Sequence, residues 1–557
     1  MRKSIMVSLF IGSFLMSNNP AGAWTHNIVL GRPTNQSITA SVMFDTVAVF
    51  YLEYGTQSGL YSAQTPVFNV QPNTPEEVEI SGLSGDTKYY YRLRYSVSSS
   101  TPNTTGAEHT FHTQRAPGQG FTFTVEADEH LYDKKGVASL YHLTLANQLA
   151  DNPDFMLSLG DIFGDDHEPF TITSSALDTL HRDYRPFLGE ICHSVPFYVC
   201  LGNHEGENDY YQSINPPYNL CYYGTQWRKF YYPNPFPNNF YSGNTTIEPY
   251  GIGYPENYFA WTWGDALFVV LDVYRDQNDT AAKPQGWNWS LGDPQYFWLK
   301  NTLESSNSTY KFVFAHHIRG QGRGGIIPAY LYEWGGYQNA NGNYTFPIRR
   351  PNWPKPIHRL FVDNGVNIFF QGHDHLYARE VMDNVVYQEV PMAADSTYEI
   401  GMLANASAYT ADTLPGSGHL RVNVQPSCIT VDFIRAYLPA DTLGGMHQNG
   451  ENAFSYTIGN CLPTEVKNTS QIFEPGVYPI PAKETLYIQY PLRDNQTALA
   501  GLYDINGKLI SSVNIMKDFY TTPLDISSTA PGIYVLKIFT WCFYQAFFFQ
   551  ILLLLNR

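Results

Sequence analysis

The stretch Phe197-Tyr-Val-Cys-Leu-Gly-Asn-His-Glu205 decides the reading of this chain. Five apolar residues end abruptly in a glycine and three polar side chains. A short apolar run closed by a turn residue reads as a buried strand. Its polar residues then stand at the carboxyl end, where open α/β sheets hold their ligands. The figure recurs four times. Residues 121–127 run into Asp128-Glu-His130, residues 155–159 into Gly160-Asp161, residues 311–315 into His316-His317, and residues 366–370 into Gly372-His-Asp-His375. Helical patterns lie between: Val137, Leu140, Tyr141, Leu145 and Leu149 share one face, and Leu177, Leu180, Tyr184 and Leu188 another. Further helices are expected near 295–303 and 357–362, and further strands at 266–271, 385–390 and 420–424. Strands alternating with helices predict an α/β core.

The residues delivered to that rim are Asp128, His130, Asp161, Asn203, His316, His373 and His375. Imidazole suits zinc, iron and related ions, and carboxylate or amide oxygens suit harder ones. Such a set, with one shared carboxylate, allows two ions about 3.5–4 Å apart that grip a phosphate and lower the pKa of a bound water. Gly-Asp after a strand is by itself most often only a turn. The specificity lies in five motifs in this order, each behind its own strand.

In these motifs residues 121–400 resemble the calcineurin-like metallophosphoesterase superfamily, including the purple acid phosphatases. The resemblance implies a four-layer α/β/β/α sandwich and a site for two metal ions (Fe, Mn or Zn, in divalent or mixed-valence pairs). By motif, Asp128, His130 and His375 would hold the first ion, Asn203, His316 and His373 the second, and Asp161 both. His204 would contact the phosphate and protonate the leaving oxygen, with Glu205 orienting it. The nucleophile implied is a metal-bound hydroxide, acting on a phosphorylated small molecule or nucleotide, with monoesters ahead of diesters. His316 fits the ligand spacing; His317 is left to face substrate or to be buried. Arg319 and Arg323, in a glycine-rich run, are candidate phosphate clamps or solvated loop residues. The pattern departs from purple acid phosphatases in two places: Gly164 stands where they carry tyrosine, and His130 where they carry glycine.

The regions outside this core read as β structure. Residues 37–44 and 47–54 alternate in hydrophobicity between turn residues. Residues 24–116 thus resemble a fibronectin type III-like sandwich, the kind of domain that precedes the catalytic domain in purple acid phosphatases. The catalytic domain is expected over 121–460, with a Tyr-, Pro- and Asn-rich insertion at 205–258 lying over the site. In residues 466–557, Val477-Tyr-Pro-Ile-Pro-Ala482, Leu502-Tyr-Asp-Ile-Asn-Gly-Lys508 and Pro531-Gly-Ile-Tyr-Val-Leu-Lys537 resemble the C-terminal sorting domain of the type IX secretion system. That implies a third β-sandwich, outer-membrane secretion machinery as partner, and a secreted or cell-surface protein of a Gram-negative bacterium. The aromatic and aliphatic tail from residue 539 departs from that family; we read it as a shift of reading frame near residue 540, with a membrane span as the alternative.

Composition sets the outer limits. At 557 residues the chain exceeds one core. A net charge of −17 argues against a broad nucleic-acid surface. Residues 1–23, with Arg2 and Lys3, an apolar run and Ala21-Gly-Ala23, read as a signal peptide. Export permits disulfides among Cys192, Cys200, Cys221, Cys428, Cys461 and Cys542. Cys192 and Cys200, flanking one strand, are the first pair to test.

Overall fold

The computed structural model describes residues 25–461 apart from 165–168, 276–285, 319–323, 401–407, 410–411, 444 and 446; beyond 461 it describes 476–478, 484–489, 497–504, 507–515, 522–542 and 545–555. The signal-peptide reading at 1–23 and the clamp reading of Arg319 and Arg323 lie outside the described residues. The chain divides into two compact units, Met1–Leu462 and Pro463–Arg557.

The first unit opens with an all-β sandwich. One sheet holds His26–Gly31, Ser37–Phe44 and Glu76–Ser81; the other is built on Ala48–Gly55, Lys88–Ser96 and Thr104–His112. Strand alternation explains its core, because every second residue faces inward. Ile38, Ala40, Val42 and Phe44 meet Phe50, Leu52, Tyr89, Tyr91 and Leu93 between the sheets. Val29 and Met43 point the other way and join a core of the following domain. The fully buried Arg185 fastens the two, donating to Asn27 Oδ1 at 2.8 Å, Ser41 O at 2.9 Å and Tyr231 O at 2.6 Å.

Two stacked sheets follow. The first runs Phe197–Val199, Phe155–Ser158, Phe121–Glu126, Gly418–Gln425, Cys428–Arg435, Asn452–Gly459, its first three strands parallel. The second is eight-stranded, with Ala266–Val270, Tyr310–Phe314, Ile368–Gln371 and Val385–Glu389 parallel at its centre. Alternation sorts their side chains into three cores. Phe123, Phe155, Leu157, Phe268, Phe312, Phe314 and Phe370 fill the space between the sheets. On the outer face of the first sheet, Met156, Phe197 and Val199 meet Tyr141 and Leu145 of helix Ala138–Ala150, and Tyr184 and Leu188 of helix Ser174–Gly189. On the outer face of the second, Val269, Val313 and Phe369 meet Leu299 and Leu303 of helix Gly292–Ser305, and Leu360 and Phe361 of helix Ile357–Asp363. The result is the four-layer α/β/β/α sandwich. The stretch 205–258 contains two helices, Asp209–Ser213 and Leu220–Tyr231.

The cysteine expectation is corrected. Cys192 and Cys200 are both free and buried, and among the described residues a disulfide joins Cys428 to Cys461. The reason is the layering: Cys192 lies in the helix-side core and Cys200 in the inter-sheet core, on opposite faces of one sheet.

The second unit has one sheet of Gly476–Tyr478, Thr485–Gln489 and Thr522–Asp525, and another of Leu509–Ile515, Thr497–Asp504, Gly532–Cys542 and Gln545–Leu555. Leu486, Ile488, Ala500, Leu502, Leu524, Leu536 and Ile538 form its core. The apolar tail is a strand, Gln545–Leu555, paired antiparallel with Gly532–Cys542. Among the described residues no helix is long and apolar enough to cross a membrane.

Candidate metal centre

The two sheets bring different chemistry to one rim. Strands Phe121–Glu126, Phe155–Ser158 and Phe197–Val199 of the first sheet lead into Asp128, Asp161 and Asn203. Strands Tyr310–Phe314 and Ile368–Gln371 of the second lead into His316 and into His373 and His375. Oxygen donors therefore come mainly from one sheet and imidazoles from the other. His373 N–H ties the second sheet to the first by donating to Asp128 Oδ2 at 2.8 Å, and within the second sheet Gly372 N–H donates to His316 O at 2.7 Å.

Five of these residues have left-handed backbones: Asp128 (φ 56°), His130 (48°), Asp161 (62°), His373 (73°) and His375 (58°). Such conformations cost non-glycine residues free energy and persist where surroundings over-determine them, typically at functional sites. Three of the five strands thereby break sharply at the rim. The glycine of Gly202-Asn-His-Glu205 has a packing reason: a Cβ on Gly202 would lie 2.2 Å from Asp161 Oδ1.

Three clusters of donor atoms result: Asp128, His130 and His375; His130, Asp161 and His204; Asp161, His316 and His373. His130 Nε2 is 3.0 Å from His375 Nε2, which is 3.4 Å from Asp128 Oδ1. His316 Nε2 lies 3.2 Å from both Asp161 Oδ2 and His373 Nδ1. The opposite nitrogen of His316 donates to Leu159 O at 2.8 Å, so in the neutral ring Nε2 carries the free lone pair. Asp161 divides its oxygens: Oδ1 accepts from His204 N–H at 2.9 Å, while Oδ2 faces His316 at 3.2 Å, His204 at 3.8 Å and His130 at 3.9 Å.

The electrostatics are one-sided. Burial alone would lower the histidine pKa values, but the carboxylates reverse this. Asp128, Asp133 and Asp161 push His130 up to about 10, and Asp161 and Asp128 push His316 up to about 9. Burial likewise opposes ionisation of Asp128, yet His316 and His375 hold its carboxyl well below the usual range. Asp128 Oδ1 and Asn203 Oδ1 are buried without a hydrogen-bond partner among the described residues. Buried oxygens left unpaired are costly. Carboxylates that draw in protons, converging imidazoles and two orphaned oxygens fit divalent cations, whose binding displaces protons from such ligands.

The other expected residues divide. His204 is 8 % exposed, with its ring edge-on to His130 at 5.1 Å. Glu205 departs from the expectation that it orients His204. Its carboxylate accepts from Asp161 N–H at 3.0 Å, Ile162 N–H at 2.7 Å, Phe163 N–H at 2.9 Å and Gly202 N–H at 2.6 Å. It therefore holds the Asp161 loop and not the imidazole, because four backbone donors converge where its side chain ends. The His317 ring lies 4.0 Å from that of His373, among Tyr274 and Trp289. At the tyrosine position of purple acid phosphatases, a Cβ on Gly164 would lie 1.9 Å from His204 O, so the close-packed backbone excludes a side chain there. Tyr132, Asp133 and Tyr274 border the site without being singled out by motif spacing; the only signal is that Tyr132 and Asp133 stand just beyond the His130 motif.

Residues 121–377 match the family model of the calcineurin-like phosphoesterases, and residues 476–540 that of the secretion system C-terminal sorting domain. The second match ends where the apolar tail begins. A search of curated proteins returns no match. Among solved structures the chain is similar to PhoD, with 16 % identity, a TM-score of 0.55, and coverage of 78 % of this chain and 90 % of that one. It is also similar to GAP50, the anchor in the inner membrane complex of Plasmodium, at 10 % identity and a TM-score of 0.34, covering 61 % of this chain and 89 % of that one. The chain carries a calcineurin-like phosphoesterase domain, followed by a secretion system C-terminal sorting domain.

Proposed function

We propose that this protein is an exported phosphoesterase that hydrolyses phosphate monoesters of small molecules or nucleotides at a two-cation site. The observation that carries the reading is Asp161, which belongs to both the His130–His204 and the His316–His373 clusters, its Oδ2 facing His130, His204 and His316 together. Asp128, His130 and His375 would hold one cation, Asn203, His316 and His373 the other, with Asp161 shared; iron, manganese and zinc all suit this donor set. Bound there, the cations supply charge neutralisation at the phosphate and a more acidic water. The chain's own residues do the rest. His204, anchored through its backbone N–H to Asp161, protonates the departing oxygen. Glu205 keeps the Asp161 loop in place, and His317 lines the substrate side. The C-terminal unit would engage outer-membrane secretion machinery, placing the enzyme outside a Gram-negative cell.

The test is metal analysis of purified protein together with parallel assays on a chromogenic phosphate monoester and a bis-ester. Two metal ions per chain and faster monoester hydrolysis are expected. Preference for the bis-ester would overturn the monoesterase reading, and inactivity of the metal-loaded protein would make it a non-enzymatic surface protein. His204→Ala should lower kcat by about 10²–10⁴-fold with both metals retained.

A further inference from the structure

The loop after Asp128 contains a tyrosine that the family pattern does not explain. Its backbone is pinned: Leu131 and Tyr132 N–H both donate to the Tyr184 hydroxyl, at 3.1 and 3.2 Å, and Gly136 N–H to His130 O at 3.0 Å. The Tyr132 hydroxyl then lies 3.1 Å from His130 Nδ1. Asp133 Oδ2 approaches the same nitrogen at 3.4 Å and is itself held by Lys135 Nζ at 2.7 Å. On its other side the Tyr132 ring packs 5.6 Å from the ring of His204, and the His130 and His204 rings are 5.1 Å apart. Three rings thus form a closed triangle, its third side the 5.7 Å between His130 and Tyr132.

Resting on the phosphoesterase reading, we propose that Tyr132 is a positioning residue that couples a metal-holding imidazole to the proton donor. With two oxygens facing it, Nδ1 of His130 carries the proton, and Nε2 is turned toward His375 and Asp161. Outer partners of this kind fix the tautomer and ring orientation of a ligating histidine. The apolar face of the same tyrosine fixes the plane of His204, so the hydroxyl and the ring have separable tasks.

Tyr132→Phe and Tyr132→Leu in the full chain separate them. Zn²⁺ affinity is measured by chelator competition, and hydrolysis is followed over aryl phosphates of graded leaving-group pKa. Tyr132→Phe should weaken Zn²⁺ binding by about tenfold, with unchanged dependence on the leaving group. Tyr132→Leu should show the same weakening and a steeper leaving-group dependence, because the proton donor is misaligned. Unchanged zinc affinity in Tyr132→Phe overturns the hydroxyl's task, and an unchanged slope in Tyr132→Leu overturns the ring's. Thermal unfolding of the zinc-free proteins identifies a variant that merely fails to fold; Tyr132→Phe, which keeps the ring, then decides through zinc affinity. If the wild-type chain hydrolyses none of these esters, the phosphoesterase reading fails separately, and the zinc comparison still decides the coupling to His130.

Discussion

Two clusters of buried charge in the same domain contrast sharply. In the first, Glu207 accepts from Arg228 Nε at 2.6 Å, from Arg275 Nη1 at 3.2 Å and from Thr225 Oγ1 at 2.7 Å, while Arg275 also pairs with Glu248. Arg228 spends its remaining donors on Pro255 O at 2.7 Å and Glu256 O at 3.0 Å. In the second, Asp128 and Asp161 face imidazoles, with no lysine or arginine paired to either among the described residues. The first cluster closes on itself and ties the 205–258 stretch to the core. The second leaves buried oxygens unpaired and needs positive charge from outside. Burial and charge alone do not distinguish a structural network from a site; what distinguishes them is whether the donors and acceptors balance.

The largest effect should come from the unbalanced cluster. Asp161→Asn removes the shared charge, and hydrolysis should fall beyond the roughly 10–100-fold that loss of an outer partner costs. Elemental analysis should show metal lost from the folded variant; full occupancy would contradict the shared role. Next is the balanced cluster. Arg228→Met leaves Glu207 with Arg275 as its one buried cation and should cost about 3–5 kcal/mol of stability by urea unfolding, with metal content per folded chain unchanged. If metal were lost instead, the two clusters would not be independent.

The smallest effect concerns a third arrangement, half-buried histidines kept neutral. Where the N-terminal sandwich meets the catalytic domain, the rings of His109 and His193 lie 4.1 Å apart. Burial, and then the neighbouring His193 and His26, lower His109 from 6.5 to about 3. Between these values the unfolded chain binds a proton that the folded chain refuses, so stability is lost as pH falls from about 6.5 toward 3. His109→Gln should flatten that loss, seen as a smaller drop in urea midpoint between pH 7 and pH 5. An identical slope would place the acid sensitivity elsewhere.

Much of the site was legible because its signal is local. A strand that ends in glycine and a polar side chain declares itself in a few residues, and five such ends must share a rim once the strands are parallel. The alternation of Phe312, Val313 and Phe314 likewise already encodes two cores on two faces. What escaped depends on the third dimension. Cys192 and Cys200 are near in sequence but separated by the thickness of a sheet. Glu205 follows His204 directly, yet its carboxylate reaches a different loop. Tyr132 gains its contacts only when the chain after His130 folds back under Tyr184. Cys428 and Cys461 meet because antiparallel strands Cys428–Arg435 and Asn452–Gly459 bring Cys428 opposite Gly459.

The crowding at Gly164 has an optical consequence. A tyrosine phenolate bound to ferric iron absorbs visible light, but Gly164 abuts the His204 carbonyl and the Glu205 Cα, which a Cβ would approach to 1.9 and 2.6 Å. Backbone cannot swing aside as a flexible side chain can, so Gly164→Tyr would displace the His204 loop before it delivered a phenolate. A single substitution therefore cannot install a phenolate ligand here, and even filled with iron the protein should remain pale.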